Sequence, residues 1–282
     1  MAENEMGLFL RSRRNAVSPA QVGLPTGPRR RTPGLRRAEL ATLAGVSVEY
    51  ITRLEQGRDR NPSPQVLAAL ADALCLTPAE RVHLYRLTKA DSGFTCMGEA
   101  EPVRQVRPTV SALLDRLGPT AAVLVNRLTE ILAATEAYRT IMEHSGLFES
   151  ARRPVLAQYV FTDPRARQTF PDWEHLADQM VATLKQGPFR ADPDIAALAD
   201  QLTVTAGAAF TDRVRTVPNL PAATGTIRLT HPDTGPLRLA FETLDLSADD
   251  DQRLIVYLPA DRTTTARLDE LTGHRPGNLR VV

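Results

Sequence analysis

The stretch Arg37-Ala-Glu-Leu-Ala-Thr-Leu-Ala-Gly-Val-Ser-Val-Glu-Tyr-Ile-Thr-Arg-Leu-Glu-Gln56 decides the reading of the first third of the chain. Two helices pack across a sharp turn only if small, apolar and turn-forming residues fall at fixed offsets. Ala41 is small where a second helix must cross, and Gly45 stands where the first helix has to end in left-handed backbone. Leu40, Ala44, Val46, Ile51 and Leu54 supply an apolar wedge, and Ser47 is a natural cap for the second helix. A plain helical hairpin makes no demand for a glycine turn of this length, so the pattern predicts a helix-turn-helix over about residues 37–56.

In that motif the N-terminal, outward residues of the second helix reach base edges while the first helix crosses the backbone. The base-contacting candidates are therefore Val48, Glu49, Tyr50, Thr52 and Arg53. Val48 suits a thymine methyl, Glu49 a cytosine amino group and Arg53 a guanine. The bland reading is that Glu49 and Arg53, four apart, pair with each other on a solvated face. Phosphate-contacting candidates are Arg36 and Arg37 at the start of the first helix, Arg58, Arg60 and Asn61 in the loop after the second, and the triplet Arg29, Arg30 and Arg31. Glu55 follows the buried Leu54 and is expected to face away from DNA, paired with Arg11 or Arg14.

Working outward, 6–14 reads as a short amphipathic helix. Four prolines and three glycines between Asn15 and Leu35 forbid a long element, leaving a connecting arm. Further helices fit Ser63 to Leu74 and Thr77 to Leu87, each opened by a Ser-Pro or Thr-Pro pair. The formal net charge is +1, but residues 1–90 hold 14 Lys/Arg against 8 Asp/Glu and the remainder holds 20 against 25. A basic first third on a mildly acidic remainder suits a phosphate-binding module joined to a second module.

After an aperiodic linker the pattern turns mixed. Short strands are expected at Ala121 to Val125 and Glu130 to Ala134, then a helix from Glu136 to Met142. Asp172 to Lys185 has helical apolar spacing, and Pro193 to Leu202 follows it. Strands fit Thr226 to His231, Leu237 to Leu244 and Leu254 to Leu258. Pro232-Asp233-Thr234-Gly235 joins the first two as a hairpin, and a last helix fits Thr264 to Leu271. The expected boundaries are 1–90 for the first domain, 91–107 for the linker, 108–275 for the second domain and 276–282 for a tail.

The segment GLRRAELATLAGVSVEYITRLEQGRDRNPSPQVLAALADAL resembles the Xre-type helix-turn-helix of lambdoid phage repressors. With PRRRTPGLRR before it and THPDTGPLRLAFETLDL and QRLIVYLPA far downstream, the chain more closely resembles the MmyB-like transcription regulators. The resemblance implies an all-α five-helix DNA-binding domain followed by a PAS-like α+β domain with an antiparallel sheet. It also implies a small apolar ligand such as a long-chain fatty acid, acting as effector rather than as a required cofactor. One departure stands out: the family usually has Asn after the strand Glu-Ile-Leu-Ala-Ala, where this chain has Thr135 and Glu136. A fatty-acid-like ligand needs an apolar tunnel closed by a cationic or hydrogen-bonding end. Tyr138, Met142, Trp173, Leu176, Met180, Phe241 and Tyr257 are the expected lining, with Arg228 or His231 for a carboxylate. At such spacings the same residues also suit an ordinary core.

Other classes leave less trace. The chain has no G-x-S-x-G, H-E-x-x-H or P-loop, so no enzyme is expected. His144, His175, His231 and His274 read as scattered and Asp249-Asp250-Asp251 as a solvated turn, so no metal site is expected. Cys75 and Cys96 read as unpaired thiols. No apolar run is long enough for a membrane span and no signal core opens the chain, which points to the cytoplasm and the nucleoid. One helix-turn-helix covers few base pairs of a double-stranded operator, so a homodimer on paired half-sites is expected. The rival reading is a DNA-binding protein whose second domain binds a protein partner, as an antitoxin or anti-activator does, or only dimerises.

Overall fold

A computed structural model describes residues 5–25, 32–59, 61–91, 101–149, 153–186, 189, 192–217, 220–246 and 252–273. The chain divides into two compact units, the first comprising Met1–Glu99, Lys185–Pro193 and Thr216–Leu220, the second Ala100–Leu184, Asp194–Arg215 and Pro221–Val282. The sequence placed the division within 91–107 and did not foresee the two later segments that belong to the first unit.

The first unit is built on α1 (Glu5–Ala16), α2 (Arg37–Ala44), α3 (Val48–Glu55), α4 (Pro64–Ala73) and α5 (Pro78–Asp91), with a 3-10 turn at Pro19–Val22 inside the arm. The helix starts follow the sequence closely. The Ser63 hydroxyl accepts from the Val66 N–H at 3.3 Å, Thr77 and Glu80 cap each other's backbone, and Ser47 accepts from Tyr50 N–H at 3.0 Å. Gly45 ends α2 at φ +64°, a left-handed conformation that a side chain would strain. The expected wedge is the core: Leu40, Ala41, Ala44, Ile51 and Leu54 pack with Met6, Phe9 and Leu10 of α1 and with Leu67, Leu70 and Leu84. In this unit Lys185, fully buried, lies 3.2 Å from a Glu5 carboxylate oxygen and donates to the Val217 carbonyl at 2.9 Å.

The second unit is an α+β domain of the expected PAS-like kind. Its elements are α6 (Pro108–Leu117), β1 (Ala121–Val125), β2 (Ile131–Ala134), α7 (Glu136–Met142), α8 (Leu156–Thr162), α9 (Arg165–Thr169), α10 (Trp173–Leu184), α11 (Pro193–Ala206), α12 (Ala208–Thr216), β3 (Thr224–His231), β4 (Gly235–Asp245), β5 (Arg253–Pro259) and α13 (Arg262–Thr272). The five strands form one antiparallel sheet in the order β2-β1-β5-β4-β3. The predicted hairpin is β3 to β4, paired from Thr224 against Glu242 to His231 against Gly235, with Gly235 at φ +78°.

The interior strand β1 is buried throughout because both faces of the sheet are covered. Ala121, Val123 and Val125 join a core with α7, α8, α9 and α10, while Ala122 and Leu124 pack with Val110 and Leu114 of α6 and Leu254 of β5. The helix α6 is absent from the sequence reading, which treated Pro108 as the end of the linker. It is the N1 proline of a helix whose i, i+4 pair Val110 and Leu114 is its buried stripe. No described helix is long and apolar enough to cross a membrane.

Candidate nucleic-acid interface and ligand cavity

On α3 the face opposite the core carries the expected outward set. Val48 is 39% exposed, Glu49 and Arg53 are exposed, and Tyr50 and Thr52 are partly covered. Tyr50 also packs against the core, with the Arg53 guanidinium 5.3 Å from its ring centre. Burial and the charge of Asp59 raise the Tyr50 phenol, partly offset by Arg53, so it remains a neutral donor. The carboxylate beside Arg53 is Asp59, at 3.9 Å, rather than the Glu49 of the solvated-face reading. Thr52 spends its hydroxyl on the Val48 carbonyl at 2.8 Å.

Glu55 points inward as expected and its side chain is 1% exposed. Arg14 donates to it at 2.6 Å and to the Leu35 carbonyl at 2.7 Å, which ties α1 to both α3 and the end of the arm. Arg37 is a correction. Its Nε donates to the other Glu55 oxygen at 2.8 Å, so part of the guanidinium that was assigned to phosphate is engaged within the fold. Arg36 is exposed, but its backbone N–H meets the Glu39 carboxylate at 2.6 Å. The start of α2 thus brings its own anion, and a phosphate there depends on the arginine side chains rather than on open N–H groups. Arg58 and Asn61 are exposed in the loop after α3. Arg29, Arg30, Arg31 and Arg60, like Cys96, His274 and Asp249-Asp250-Asp251, lie outside the described residues.

Between the sheet and α7, α8 and α10 lies an apolar cavity in two lobes of about 60 and 100 Å³. Tyr138, Met142, Leu176, Met180 and Tyr257 line the first, and Leu176, Met180, Phe241 and Tyr257 line the second. Strand alternation explains the sheet wall: Arg253, Ile255 and Tyr257 of β5 share one face while Leu254 and Val256 turn toward α6. Tyr138 stacks on Tyr257 with ring centres 5.6 Å apart. Burial pushes both phenols well above their ordinary range, and for Tyr138 the neighbouring Tyr257 and Tyr159 add to it, so both stay protonated.

Three expected pocket residues are elsewhere. Trp173 donates from its indole N–H to the Val160 carbonyl at 2.8 Å and carries Arg167 and Arg213 on its ring, 3.3 and 4.9 Å from the centre, which makes it a packing post between helices. Arg228 is exposed on β3 and forms a two-pronged ion pair with Asp172, the hydrogen bond raising the arginine and lowering the aspartate. His231 is buried against His144 and Asp233, away from the lining. The sequence had read these histidines as scattered.

The polar groups that do border the second lobe are Thr129, Asp172, His175, Gln179, Thr183, Thr226, Thr243 and Arg253. Arg253 is mostly buried and its Nε lies 3.0 Å from the exposed Asp245. The contributions of Leu156, Tyr159, Val160 and Phe170 to the first lobe were missed because α8 and α9 are too short to display a period. Where the family usually has Asn, Thr135 accepts from the backbone of Ala122 at 2.9 Å and Tyr138 at 3.4 Å and donates to the Thr120 carbonyl at 2.9 Å. It caps α7 and fastens it to β1.

No curated protein matches the chain. The sequence model described as the MmyB-like transcription regulator ligand binding domain matches residues 106–271, and that of a helix-turn-helix domain matches residues 5–84. Both are modules of transcription regulators rather than of enzymes, and the first spans more than half of the 282 residues. The chain therefore belongs to the MmyB-like transcription regulators, joining a DNA-binding helix-turn-helix to a domain that binds a small-molecule effector.

Proposed function

We propose that this regulator reads a double-stranded operator with Val48, Glu49, Tyr50, Thr52 and Arg53 of α3, and that its effector is an apolar chain with an acidic head, of the long-chain fatty-acid class. No bound cofactor is needed for either step. The observation that carries the ligand reading is the cavity itself, walled by apolar side chains on the first lobe and bordered by Arg253, His175 and several hydroxyls on the second. Neither lobe reaches the ~300 Å³ at which pockets hold a drug-sized molecule. A long chain accordingly needs both lobes and a widening of the wall between them at Leu176 and Met180, which border each. Met180 is suited to that place because an unbranched thioether repacks at little cost. Arg253, not Arg228, is the cation that borders the cavity, and a guanidinium there suits a carboxylate head.

On DNA, Arg36 and Arg58 grip phosphate, with Arg29, Arg30, Arg31, Arg60 and Asn61 adding to the same footprint and Arg37 contributing only what Glu55 leaves. The active form is a homodimer on paired half-sites in the cytoplasm.

Mass spectrometry of the full chain, purified and then denatured in organic solvent, tests the ligand. An acid of lipid size is expected, or saturable uptake of fatty acids by the stripped protein, with uptake lost in Met180→Trp and weakened in Arg253→Gln. A stripped protein that takes up no fatty acid from a panel of medium and long chains favours the reading in which the second domain binds a protein partner.

A further inference from the structure

Two histidines and an aspartate that take no part in the cavity converge at the end of the β3–β4 hairpin. His231 closes β3 with its side chain 1% exposed, Asp233 stands in the turn, and His144 sits in the 3-10 turn Glu143–Ser145 that follows α7. His144 Nε2 is 3.2 Å from Asp233 Oδ2, and His231 Nδ1 is 4.0 Å from the same oxygen. The two imidazoles meet edge to face with centres 5.2 Å apart, and one ligand atom from each residue lies within 4.8 Å of the other two.

Two ligand atoms held by one tetrahedral zinc-like ion at ~2.0–2.1 Å stand about 3.3 Å apart. One of the pairs already has that spacing, and the others close by rotation of His144 and Asp233, whose side chains are 49% and 66% exposed. His231 is the fixed member. Its Nδ1 accepts a long hydrogen bond, 3.3 Å, from the Asp233 N–H, and an ion bound there takes over that lone pair in place of this weak contact.

We propose that His144, His231 and Asp233 form a binding site for one divalent transition-metal ion of the zinc class, clipping the β3–β4 turn to the end of α7. Two imidazoles with one carboxylate favour zinc, nickel or copper over magnesium and calcium, which prefer oxygen ligands. The exposed side of the cluster leaves the fourth position to water. Because Tyr138 and Met142 of α7 line the cavity, an ion here fixes one end of a helix that forms the cavity wall.

The test uses the full chain stripped with a chelator and titrated with Zn²⁺ against a chromophoric competitor, with Co²⁺ as a spectroscopic substitute. One ion per chain is expected, bound at micromolar concentration or tighter, with a tetrahedral Co²⁺ absorption band. His144→Ala and Asp233→Asn, both at exposed side chains, are expected to weaken binding by at least the ~10-fold that even an outer partner of a metal ligand is worth. Cys75→Ser and His175→Ala, outside the cluster, are expected to leave it unchanged. Zn²⁺ binding that survives both cluster variants, or that is absent from the parent protein, overturns the proposal.

Discussion

Glu55 holds two arginines with one carboxylate, and the consequences can be read residue by residue. Its side chain and that of Arg14 are 1% and 9% exposed, so removing the acid strands a nearly buried guanidinium. Glu55→Ala is expected to destabilise the first unit by about 3–5 kcal/mol, visible as a lower midpoint in chemical denaturation of the full chain. An unchanged midpoint means the pair contributes nothing. The sequence named Glu55 with Arg11 or Arg14 because a charge beside the buried Leu54 has to find a partner, and the fold selects Arg14. Arg37 escaped it, since pairing across 18 positions depends on how two helices cross, which no local pattern encodes. On DNA, Arg53→Ala is expected to relax preference at one operator position by about 1–3 kcal/mol, whereas Arg58→Ala weakens all sequences alike and lowers the salt slope by about 1. Anisotropy on operator and scrambled duplexes across salt concentrations separates the two. Equal, sequence-independent losses from both variants contradict this division of roles.

At the scale of elements, legibility followed length and cap chemistry. The helices α2 to α5 open on caps or prolines, and all the helices of the first unit named above repeat their apolar residues over two or more turns, so their starts fell within a residue or two. The strands were legible for a different reason. β3 and β4 alternate, and β1 is a continuous apolar run because it is covered on both sides. What stayed hidden were α8 and α9, of seven and five residues, α6, whose proline read as linker, and α12 (Ala208–Thr216). Thr135 shows how a departure from a family pattern can still keep the contact. Its hydroxyl caps α7, receives the Ala122 N–H and donates to Thr120. Thr135→Ala is expected to cost about 1–3 kcal/mol by loss of the cap and of a buried acceptor, while Thr135→Ser stays close to the parent in thermal unfolding. Equal losses from both variants assign the effect to the methyl group instead.

For the whole molecule, the uneven charge of the sequence found its physical place. The basic third is the helix-turn-helix unit, where Arg36, Arg53 and Arg58 are exposed, and the acidic remainder is the effector-binding domain. Which residues line the cavity was half legible. Spacing identified Tyr138, Met142, Leu176, Met180, Phe241 and Tyr257, yet it set the carboxylate partner on β3 at Arg228 or His231, where the fold commits the first to Asp172 and places the second against His144 and Asp233. Single-sequence spacing gives the face of a strand but not which neighbour has already claimed a charge. Ligand response requires the effector to bind the DNA-competent and DNA-incompetent states unequally, and such couplings are typically 1–3 kcal/mol, or about 5–150-fold. The most direct measurement is therefore operator affinity of the stripped full chain with and without saturating fatty acid, with Met180→Trp as control. A shift of at least about fivefold in the parent, lost in the cavity-filled variant, is the predicted result. An identical operator affinity in both states, with the ligand seen bound by mass spectrometry, contradicts it.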